Sequence, residues 1–562
     1  MINPSREYLA EHRKLTFENE PLNTFLKELP RKKIAVLGLG VSNRALLRFI
    51  AGSGAKDVFL YDMKADEKAV GEAQQLKADG VIAGFRLGDG YLDELPEGGF
   101  DLIFRSPIMR PDEEHIAAAV RAGARLTSEM EIFMEYCPCR IFAITGSDGK
   151  TTTTTLTALL LEEHFGRFNQ RAGAEEQVFV WLGGNIGTPL IDRVAEIGPN
   201  DRVVLELSSF QLMQMSVSAD VTAITNITPN HLNVHKDYNE YIACKRAIFE
   251  KPLHRSLFFD DFSVNVSRTP YFPTFPEGKV GNNTQKRVVL NAGNDICAKI
   301  IDDLASAGWK TGDESIVVDT FSARKSREIP LSAHHNGTTA YFEPAQGVDN
   351  GSAGTIVIDS LCEGCGSGGC RGRRFEIDRA DFLLPGIHNI ENLMVAALLT
   401  RDEILPEDVL AVASTFGGVE HRLEKVRELD GVTYINSSID SSPERTINAL
   451  SVFGSRNIVM IAGGKDKNLD YGPVGPAIAA KVRVLILMGP TADKIARAVA
   501  EAPGGENTRI IRADTYEEAV SAARDNAQPG EIVLLSPAST SFDMFKNFEE
   551  RGNTFKRLVN EL

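Results

Sequence analysis

RIFAITGSDGKTTTTTLTALLL, residues 140–161, reads as an aliphatic strand that runs into a glycine turn and then into a helical pattern. Such a turn lets backbone N–H groups wrap a phosphate, while its lysine reaches the β- and γ-phosphates and its threonine hydroxyl can hold Mg²⁺. The strict P-loop has glycine five residues before Gly149, where this chain has Ile144, so the loop is a shortened variant. We predict that it binds ATP and is not a fortuitous turn. The candidate contacts are Gly146, Ser147, Asp148, Gly149, Lys150, Thr151 and Thr152.

Two further regions repeat the order of strand, turn and helix, which is typical of parallel α/β layers. Upstream, residues 33–40 form an aliphatic run that ends in Gly-Leu-Gly, and a helical pattern follows. Downstream, strand candidates alternate with helical segments. These candidates are residues 457–461, 482–488, 509–512 and 531–536. The sequence therefore predicts an α/β protein with mostly parallel sheets.

These patterns divide the chain into three domains behind a polar, helical extension of unknown purpose. Residues 252–380 mix Phe-rich, Gly/Asn-rich and Cys/Arg-rich pieces with only short strand candidates such as 287–291, so we interpret them as insertions into the middle domain. The limits are 1–30 for the extension, 31–136 for the first domain, 137–418 for the central domain and 419–562 for the last.

Composition indicates a multidomain globular protein. The chain has 562 residues, of which 43% are hydrophobic and 25% charged, and it carries 61 basic and 77 acidic residues for a net charge of −16. That charge repels nucleic acid and anionic membranes, so we expect neither as a partner. No run approaches the roughly eighteen apolar residues that span a bilayer. Seven cysteines, an odd number, favour a reducing compartment, and we expect a cytoplasmic location.

The Gly38-Leu39-Gly40 turn resembles the start of a dinucleotide fingerprint, but Asn43 replaces its third glycine. The turn either binds a phosphate at a helix N-terminus or is only a tight turn. The next strand, 58–61, is followed by Asp62, which is placed to contact a ribose or a base.

Glu206 ends the apolar strand 203–206, where a carboxylate beside the P-loop would suit a nucleotide-bound Mg²⁺; a solvated strand end is the alternative. His231 and Lys245 are further candidates, although a single histidine is usually structural and a single lysine usually solvated.

Three thiols, Cys362, Cys365 and Cys370, lie in a glycine- and arginine-rich stretch. A closed zinc site needs four ligands, and no fourth is evident nearby, so we favour a glycine-rich surface loop over a zinc or iron–sulfur site.

Several motifs, in family order over about residues 33–560, resemble the Mur ligase family, and most of all its glutamate-adding branch. The matching segments are 146–152, 184–189, 205–212, 385–392, 420–424 and 535–553. The resemblance implies an N-terminal Rossmann-like domain for a uridine nucleotide, a central P-loop ATPase with a mostly parallel sheet, and a C-terminal Rossmann-like domain that closes over the site.

The resemblance also implies an activity. The chain would be an ATP-dependent amide ligase of peptidoglycan precursor synthesis that joins D-glutamate to UDP-N-acetylmuramoyl-L-alanine through an acyl phosphate, and we expect a monomer. By family position, Thr151 and Glu206 resemble ligands of the ATP-linked Mg²⁺ and His231 a ligand of a second Mg²⁺. Lys245 matches a lysine that the family carbamoylates with CO₂, which gives it a negative charge. Lys150 would serve the transferred phosphate.

The remaining contacts are also implied by family position. Positions similar to ATP contacts are Asn389 and Arg422. Positions similar to contacts of the uridine-linked substrate are Gly40, Ser42, Asp62, Ser106 and Asn185. Positions similar to glutamate contacts are Lys467, Ser541 and Phe548.

The chain departs from the family pattern in two places. Asn230 and Asn233 stand where many relatives have acids, and Ser437, Ile439 and Ser441 stand where the usual pattern has an acid, a lysine and a threonine. These departures keep two alternatives open: a related ligase with another acceptor, such as L-glutamate, and a noncatalytic sensor of nucleotides or muropeptides.

Overall fold

A computed structural model describes most of the chain. The described residues are 2–15, 17–230, 234–254, 286–312, 314–323, 337–345, 353–360, 374–384, 386–451, 453, 456–466 and 469–562. Contacts divide the protein into two compact units, Met1–Thr415 and Phe416–Leu562. No helix within the described ranges is both long and apolar enough to cross a membrane.

The first unit begins with two helices and a five-stranded sheet. The strands are β1 Ile34–Leu37, β2 Val58–Asp62, β3 Gly84–Leu87, β4 Leu102–Arg105 and β5 Arg125–Thr127, in the order β3-β2-β1-β4-β5 with every pairing parallel. The helices are α1 Arg6–His12, α2 Glu20–Glu28, α3 Val41–Gly52, α4 Glu67–Ala78, α5 Glu114–Arg121 and α6 Glu129–Tyr136. β1 is buried along its whole length.

A larger sheet follows in the same unit. Its strands are β6 Arg140–Thr145, β7 Val180–Gly184, β8 Arg202–Glu206, β9 Val221–Ile224, β10 Lys286–Asn291, β11 Lys310–Thr311, β12 Glu314–Ser322, β13 Thr338–Pro344, β14 Gly354–Ser360 and β15 Arg374–Asp378. The order is β15-β14-β13-β12-β10-β9-β6-β8-β7, with β11 paired to β12. From β7 to β13 the main path is parallel, and β14 and β15 add antiparallel pairings. Its helices are α7 Lys150–Asn169, α8 Ser209–Leu212, α9 Tyr238–Glu250, α10 Asp295–Ser306, α11 Ile387–Thr400 and α12 Pro406–Thr415.

The expectation of irregular insertions in 252–380 needs correction where that range is described. β10 pairs with β9 near the middle of the sheet, and the strands up to β15 extend it. All six residues of β10 are buried. Local sequence patterns do not show this because β10 enters the sheet beside β9, which is distant in sequence.

α7 contains a run of threonines that would ordinarily disfavour a helix. The hydroxyls of Thr154, Thr155 and Thr157 each donate to the carbonyl oxygen four residues earlier, at 2.8 Å. These threonine hydroxyls therefore find their hydrogen-bond partners within the helix that follows the glycine turn.

The N-terminal extension is helical, as expected, and it packs on the larger sheet. Ile2 bridges in parallel to Val180 at the β7 edge, and Arg13 makes two hydrogen bonds to the buried Asp201, at 2.8 and 3.0 Å. One apolar core runs through both sheets and includes Phe25 of α2.

The second unit holds a six-stranded sheet. Its strands are β16 Glu424–Leu429, β17 Val432–Asn436, β18 Ile458–Gly463, β19 Val482–Met488, β20 Arg509–Arg512 and β21 Ile532–Leu535, in the order β16-β17-β21-β18-β19-β20. Only the β16–β17 pairing is antiparallel among these. Its helices are α13 Pro443–Ser451, α14 Val474–Lys481, α15 Ala492–Ala500, α16 Tyr516–Asn526 and α17 Phe548–Asn560. The predicted α/β class is confirmed, as are the strands predicted at 482–488 and 509–512; the domain limits stay a prediction.

Candidate active site

The turn between β6 and α7 requires glycine at two positions. Gly146 has φ 150° and Gly149 has φ 78°, both in the left-handed range. A Cβ at Gly146 would overlap the Thr225 hydroxyl, and one at Gly149 would lie 2.5 Å from the side-chain oxygen of Asn392. α7 begins directly after Gly149, so backbone N–H groups and a helix N-terminus are available to an anion at this turn.

Two lysines converge on the turn. Lys150 Nζ donates to the carbonyl oxygens of Gly146 and Ser147, at 2.9 and 2.8 Å. Lys245 Nζ, from α9, donates to the same Gly146 oxygen at 2.7 Å and lies 4.6 Å from the centroid of the Tyr241 ring. Burial, followed by repulsion from Lys150, holds the pKa of the Lys245 amine well below its usual range. The buried amine is therefore easier to deprotonate than a solvated lysine.

Glu206 supplies a carboxylate at the neighbouring strand end. β6 pairs with β8 so that Ile144 lies opposite Glu206, which places this carboxylate beside the turn. Asn185 Nδ2 donates to Glu206 Oε1 at 2.9 Å. Glu206 Oε2 is buried and has no hydrogen-bond partner among the described residues. A buried, unpartnered carboxylate oxygen is costly, and a hard cation such as Mg²⁺ would satisfy it, so the residues present fit that ion.

The Gly-Leu-Gly turn in the smaller sheet is held from two sides. Asp62 Oδ2 accepts the Leu39 N–H at 2.6 Å. The Asn43 amide donates to the carbonyl oxygens of Leu37 and Gly38, at 3.0 and 2.7 Å. The side chain of Asn43, which replaces the third glycine, thus holds the turn by hydrogen bonds to its backbone. A Cβ on Gly38 would lie 3.1 Å from that of Ser106, so the predicted substrate positions Asp62 and Ser106 both border this turn.

The buried His235 contacts residues of both α8 and α9. His235 Nε2 lies 3.0 Å from the Ser209 hydroxyl, and the His235 ring stacks on Phe210 with centroids 5.4 Å apart. The edge of the His235 ring also meets Tyr241, whose hydroxyl lies 2.9 Å from Ser147 Oγ in the phosphate turn. Helix α9 is therefore packed directly against the turn that precedes Lys150.

Two parts of the chain match domains of a known protein family. Residues 144–336 match the Mur ligase middle domain, and residues 421–539 match the Mur ligase glutamate ligase domain. The UDP-N-acetylmuramoylalanine–D-glutamate ligase of Ruminiclostridium cellulolyticum is 40% identical over 554 residues, which cover 97% of this chain and 100% of the relative. The chain belongs to the Mur ligase family. The ligase of the same name from Acetivibrio thermocellus is also 40% identical, over 97% of this chain and 99% of its own.

In this Mur ligase, the predicted phosphate-turn and uridine-contact positions lie at the carboxyl ends of parallel strands or at the helix starts that follow them, whereas Asn389 lies on α11, which follows the antiparallel strand β15. Asn389, near the start of α11, accepts a hydrogen bond from the Asn392 amide at 3.1 Å, and Asn392 in turn accepts the Thr153 hydroxyl of α7. Asn185, predicted to contact the uridine-linked substrate, also supports Glu206. The predicted residues that lie outside the described ranges are His231, Lys467, Cys362, Cys365 and Cys370.

The second unit of the ligase contains the segment that departs from the family pattern. Asp440, which the sequence analysis did not single out, is buried there and accepts the Ser536 hydroxyl at 2.8 Å. Burial raises the pKa of the Asp440 carboxyl to about 6. The predicted glutamate contact Ser541 is buried, and the ring of Phe548 meets His421 edge to face. Arg422 directly follows His421, which has φ 63°.

Sequence reasoning also missed two arginines, one at the end of β4 and one on the loop that follows it. Arg105 is buried and donates to the carbonyl oxygens of Ser106, Pro107 and Met109, at 3.3, 2.9 and 2.5 Å. Burial lowers the pKa of Arg105 to about 10. The second, Arg110, donates two hydrogen bonds to Glu240 in helix α9, which belongs to the larger sheet's part of the unit. The only signal in the sequence was two cations flanking a short loop that also holds Ser106.

Proposed function

We propose that this Mur ligase joins D-glutamate to UDP-N-acetylmuramoyl-L-alanine and converts ATP to ADP and phosphate in peptidoglycan precursor synthesis. The relatives named above carry that donor and acceptor in their names, and the similarity extends over nearly the whole of each chain. Within the chain, the strongest support is the strand edge where the phosphate turn, two lysines and the unpartnered oxygen of Glu206 meet.

The reaction requires activation of a carboxylate, which is a poor acyl donor. A carboxylate oxygen of the alanyl group attacks the γ-phosphorus of ATP, and the bond from that phosphorus to ADP breaks. The amine of D-glutamate then attacks the acyl carbon, loses a proton, and displaces phosphate as the amide forms. Both steps depend on positioning and on compensation of negative charge more than on a side-chain nucleophile.

The residues divide this work. The backbone of the turn at Gly146–Gly149 holds the phosphates, and the Lys150 ammonium compensates the charge of the transferred group. Bound Mg²⁺ would neutralise phosphate oxygens and orient them. Thr151 and Glu206 would hold the ATP-linked ion, and His231 with Lys245 the second. The uridine diphosphate would lie against Gly40, Ser42, Asp62 and Ser106, with Asn185 toward the muramoyl end.

Lys245 requires a change of charge to serve as a metal ligand. In carbamoylation the neutral amine attacks CO₂ and releases one proton, which leaves an anionic carbamate whose oxygens suit Mg²⁺. Its side chain is almost wholly buried, and Nζ lies 2.7 Å from the Gly146 carbonyl oxygen, beside the phosphate turn. The charged ammonium form of Lys245 is therefore energetically unfavourable in that environment.

The remaining assignments complete the proposal. Asn389 and Arg422 would contact ATP, and Lys467, Ser541 and Phe548 would hold D-glutamate. We propose that the chain acts as a monomer in the cytoplasm, with substrate, ATPase and acceptor domains at 31–136, 137–418 and 419–562.

Phosphate release tests the activity. The purified chain with Mg·ATP should release phosphate only when both UDP-N-acetylmuramoyl-L-alanine and D-glutamate are present, and mass spectrometry should find the glutamyl product. L-Glutamate and D-glutamine, as matched acceptors, should give little product because one misplaces the carboxylates and the other lacks a charge. Preference for L-glutamate would indicate a different ligase. Binding of the uridine substrate without phosphate release under any acceptor would indicate a sensor.

A further inference from the structure

Arg110 lies on the loop after β4 and uses all five of its guanidinium N–H groups. Nη1 donates to Glu240 Oε2 at 2.9 Å and to the Val234 carbonyl oxygen at 2.8 Å, and Nη2 donates to Glu240 Oε1 at 2.7 Å. Nε and Nη2 also reach Asp112, at 2.8 and 3.2 Å. A planar fork that is fully engaged fixes both the distance and the angle between the segments it joins.

The segments on the two sides of this fork belong to different sheets. The Arg110 loop begins at the end of β4 and includes Ser106, beside the Gly38 turn. Glu240 lies in the first turn of α9, the helix that also holds Lys245. Val234 directly follows residues 231–233 in sequence. The pair therefore links the loop at the proposed uridine site to the helix at the proposed metal site.

The link continues from Glu240 to the phosphate turn. Glu240 Oε2 accepts the Lys236 N–H at 2.7 Å and lies 3.5 Å from His235 Nδ1. His235 meets the edge of Tyr241, whose hydroxyl reaches Ser147 of the turn. A continuous series of contacts thus connects Arg110 with the loop that would hold ATP.

Arg105 provides a separate anchor for the same loop. Its Nη2 donates to the Phe210 carbonyl oxygen at 2.9 Å and its Nε to Gln214 at 2.6 Å. Because these bonds do not involve Arg110, the loop keeps an attachment to the larger sheet when Arg110 is replaced. The Arg110 and Glu240 side chains are also 24% and 22% exposed, so water reaches the Glu240 carboxylate that loss of Arg110 leaves behind.

We propose that Arg110 is a positioning residue that couples the two substrates: the fork to Glu240 and Val234 transmits occupation of the uridine site to α9 and the phosphate turn. This role rests on the proposed function. Contact of the uridine-linked substrate with the loop at Ser106 shifts the loop, and the Arg110 fork carries that shift to the start of α9. Each substrate therefore binds more tightly when the other is present, and the coupling is reciprocal.

Calorimetry on the full chain measures this coupling. The probes are UDP-N-acetylmuramoyl-L-alanine and the Mg²⁺ complex of a non-hydrolysable ATP analogue, each titrated with and without the other. In the wild type, saturation with one should raise affinity for the second about tenfold. Arg110→Met should reduce that factor to below about twofold while each separate affinity changes by less than about twofold. Arg110→Lys, which keeps the charge but not the fork, should fall between them.

Two further variants separate positioning from a general structural effect. The double variant Arg110→Glu with Glu240→Arg should recover more coupling than either single variant, because it restores an ion pair across the same gap. Arg483→Met is the matched control, since Arg483 makes a two-pronged pair with Glu531 in the second unit, at 2.6 Å for both bonds. It should leave the coupling factor unchanged.

The possible outcomes distinguish failure of the Arg110 role from failure of the proposed ligase function. Coupling in Arg110→Met equal to the wild type, or a wild type without coupling, overturns the role of Arg110 and leaves the ligase activity standing. A wild type that does not bind the uridine probe at all overturns the proposed function itself. A melting temperature of Arg110→Met within a few degrees of the wild type excludes unfolding as the cause of lost coupling.

Discussion

Glu206→Gln should make the metal-free protein more stable while it abolishes ligation. Glutamine has the same length, and its Oε1 can still accept the Asn185 amide, which donates at 2.9 Å in the native chain. The change removes the charge behind Oε2, which is buried and has no hydrogen-bond partner among the described residues. An unsatisfied buried group costs about 1–3 kcal/mol, and the new amide keeps part of that cost, so we expect a gain of about 1–2 kcal/mol.

Thermal unfolding in a chelator is the first assay. At about 2 °C per kcal/mol for a large domain, the melting temperature should rise by about 2–4 °C. The second assay adds Mg²⁺ with a non-hydrolysable ATP analogue. A ligand at one hundred times its dissociation constant stabilises by about 2.7 kcal/mol, which the wild type should show and the variant should lose in large part. The sign therefore reverses: the variant is more stable without the metal complex and less stable with it.

Glu376→Gln is the matched control, because Glu376 forms an exposed ion pair with Arg374 at 2.7 Å on β15. Its effect should stay within about 0.5 kcal/mol, with or without Mg²⁺. Destabilisation of Glu206→Gln by more than about 1 kcal/mol in chelator would refute the reasoning, since the Glu206 charge would then be satisfied by the protein itself. Full stabilisation of the variant by the Mg²⁺ complex would refute its role as a ligand.

Three further outcomes are expected. Arg13→Met should cost about 3–5 kcal/mol in urea unfolding because it leaves Asp201 buried without its cation, and Arg13→Lys, which keeps the charge, should cost less; a loss below about 1 kcal/mol for Arg13→Met would contradict this. Lys245→Ala should lose nearly all turnover and regain part of it with acetate, whereas near-normal turnover would exclude a metal-ligand role. The Asp440 pKa is raised in the folded state to about 6, from an ordinary 3.8, so folding retains a proton and stability falls as pH rises from about 4 to 6. Asp440→Asn should remove that fall, which is on the order of 3 kcal/mol. Free energies of unfolding measured at pH 4 and pH 7 check this, and a variant that loses as much stability as the wild type between these pH values would contradict it.

Local patterns in the sequence were sufficient where strands and turns are set by neighbours in the chain. The strand at 482–488 and the turn after Thr145 follow from aliphatic runs bounded by glycine, because backbone conformation there depends on adjacent residues. The placement of Glu206 beside the phosphate turn also follows, since carboxyl ends of parallel strands share one edge of a sheet.

Contacts between distant segments could not be predicted in this way. Arg13 and Asp201 are 188 positions apart, and Arg110 and Glu240 are 130 apart. Each arginine has many acidic residues available in a chain of net charge −16, and only the packing of the two sheets selects its partner. The strands after residue 285 were misjudged for the same reason, because β10 gains its place from β9 and β12 on either side.

The two kinds of cation at the site are used in different ways, and their partners explain why. Arg110 donates to the carboxylates of Glu240 and Asp112, so its charge is largely neutralised within the protein, and it serves geometry. Lys150 and Lys245 donate to main-chain carbonyl oxygens of the phosphate turn, and burial holds the pKa of the Lys245 amine well below its usual range. We therefore assign the charge that compensates phosphate to Lys150 and the neutral amine to Lys245. A protein with an overall negative field needs a local cation beside the phosphate turn to attract ATP. Lysine suits that position because its compact ammonium can follow a phosphate and can also lose its proton, which arginine does not.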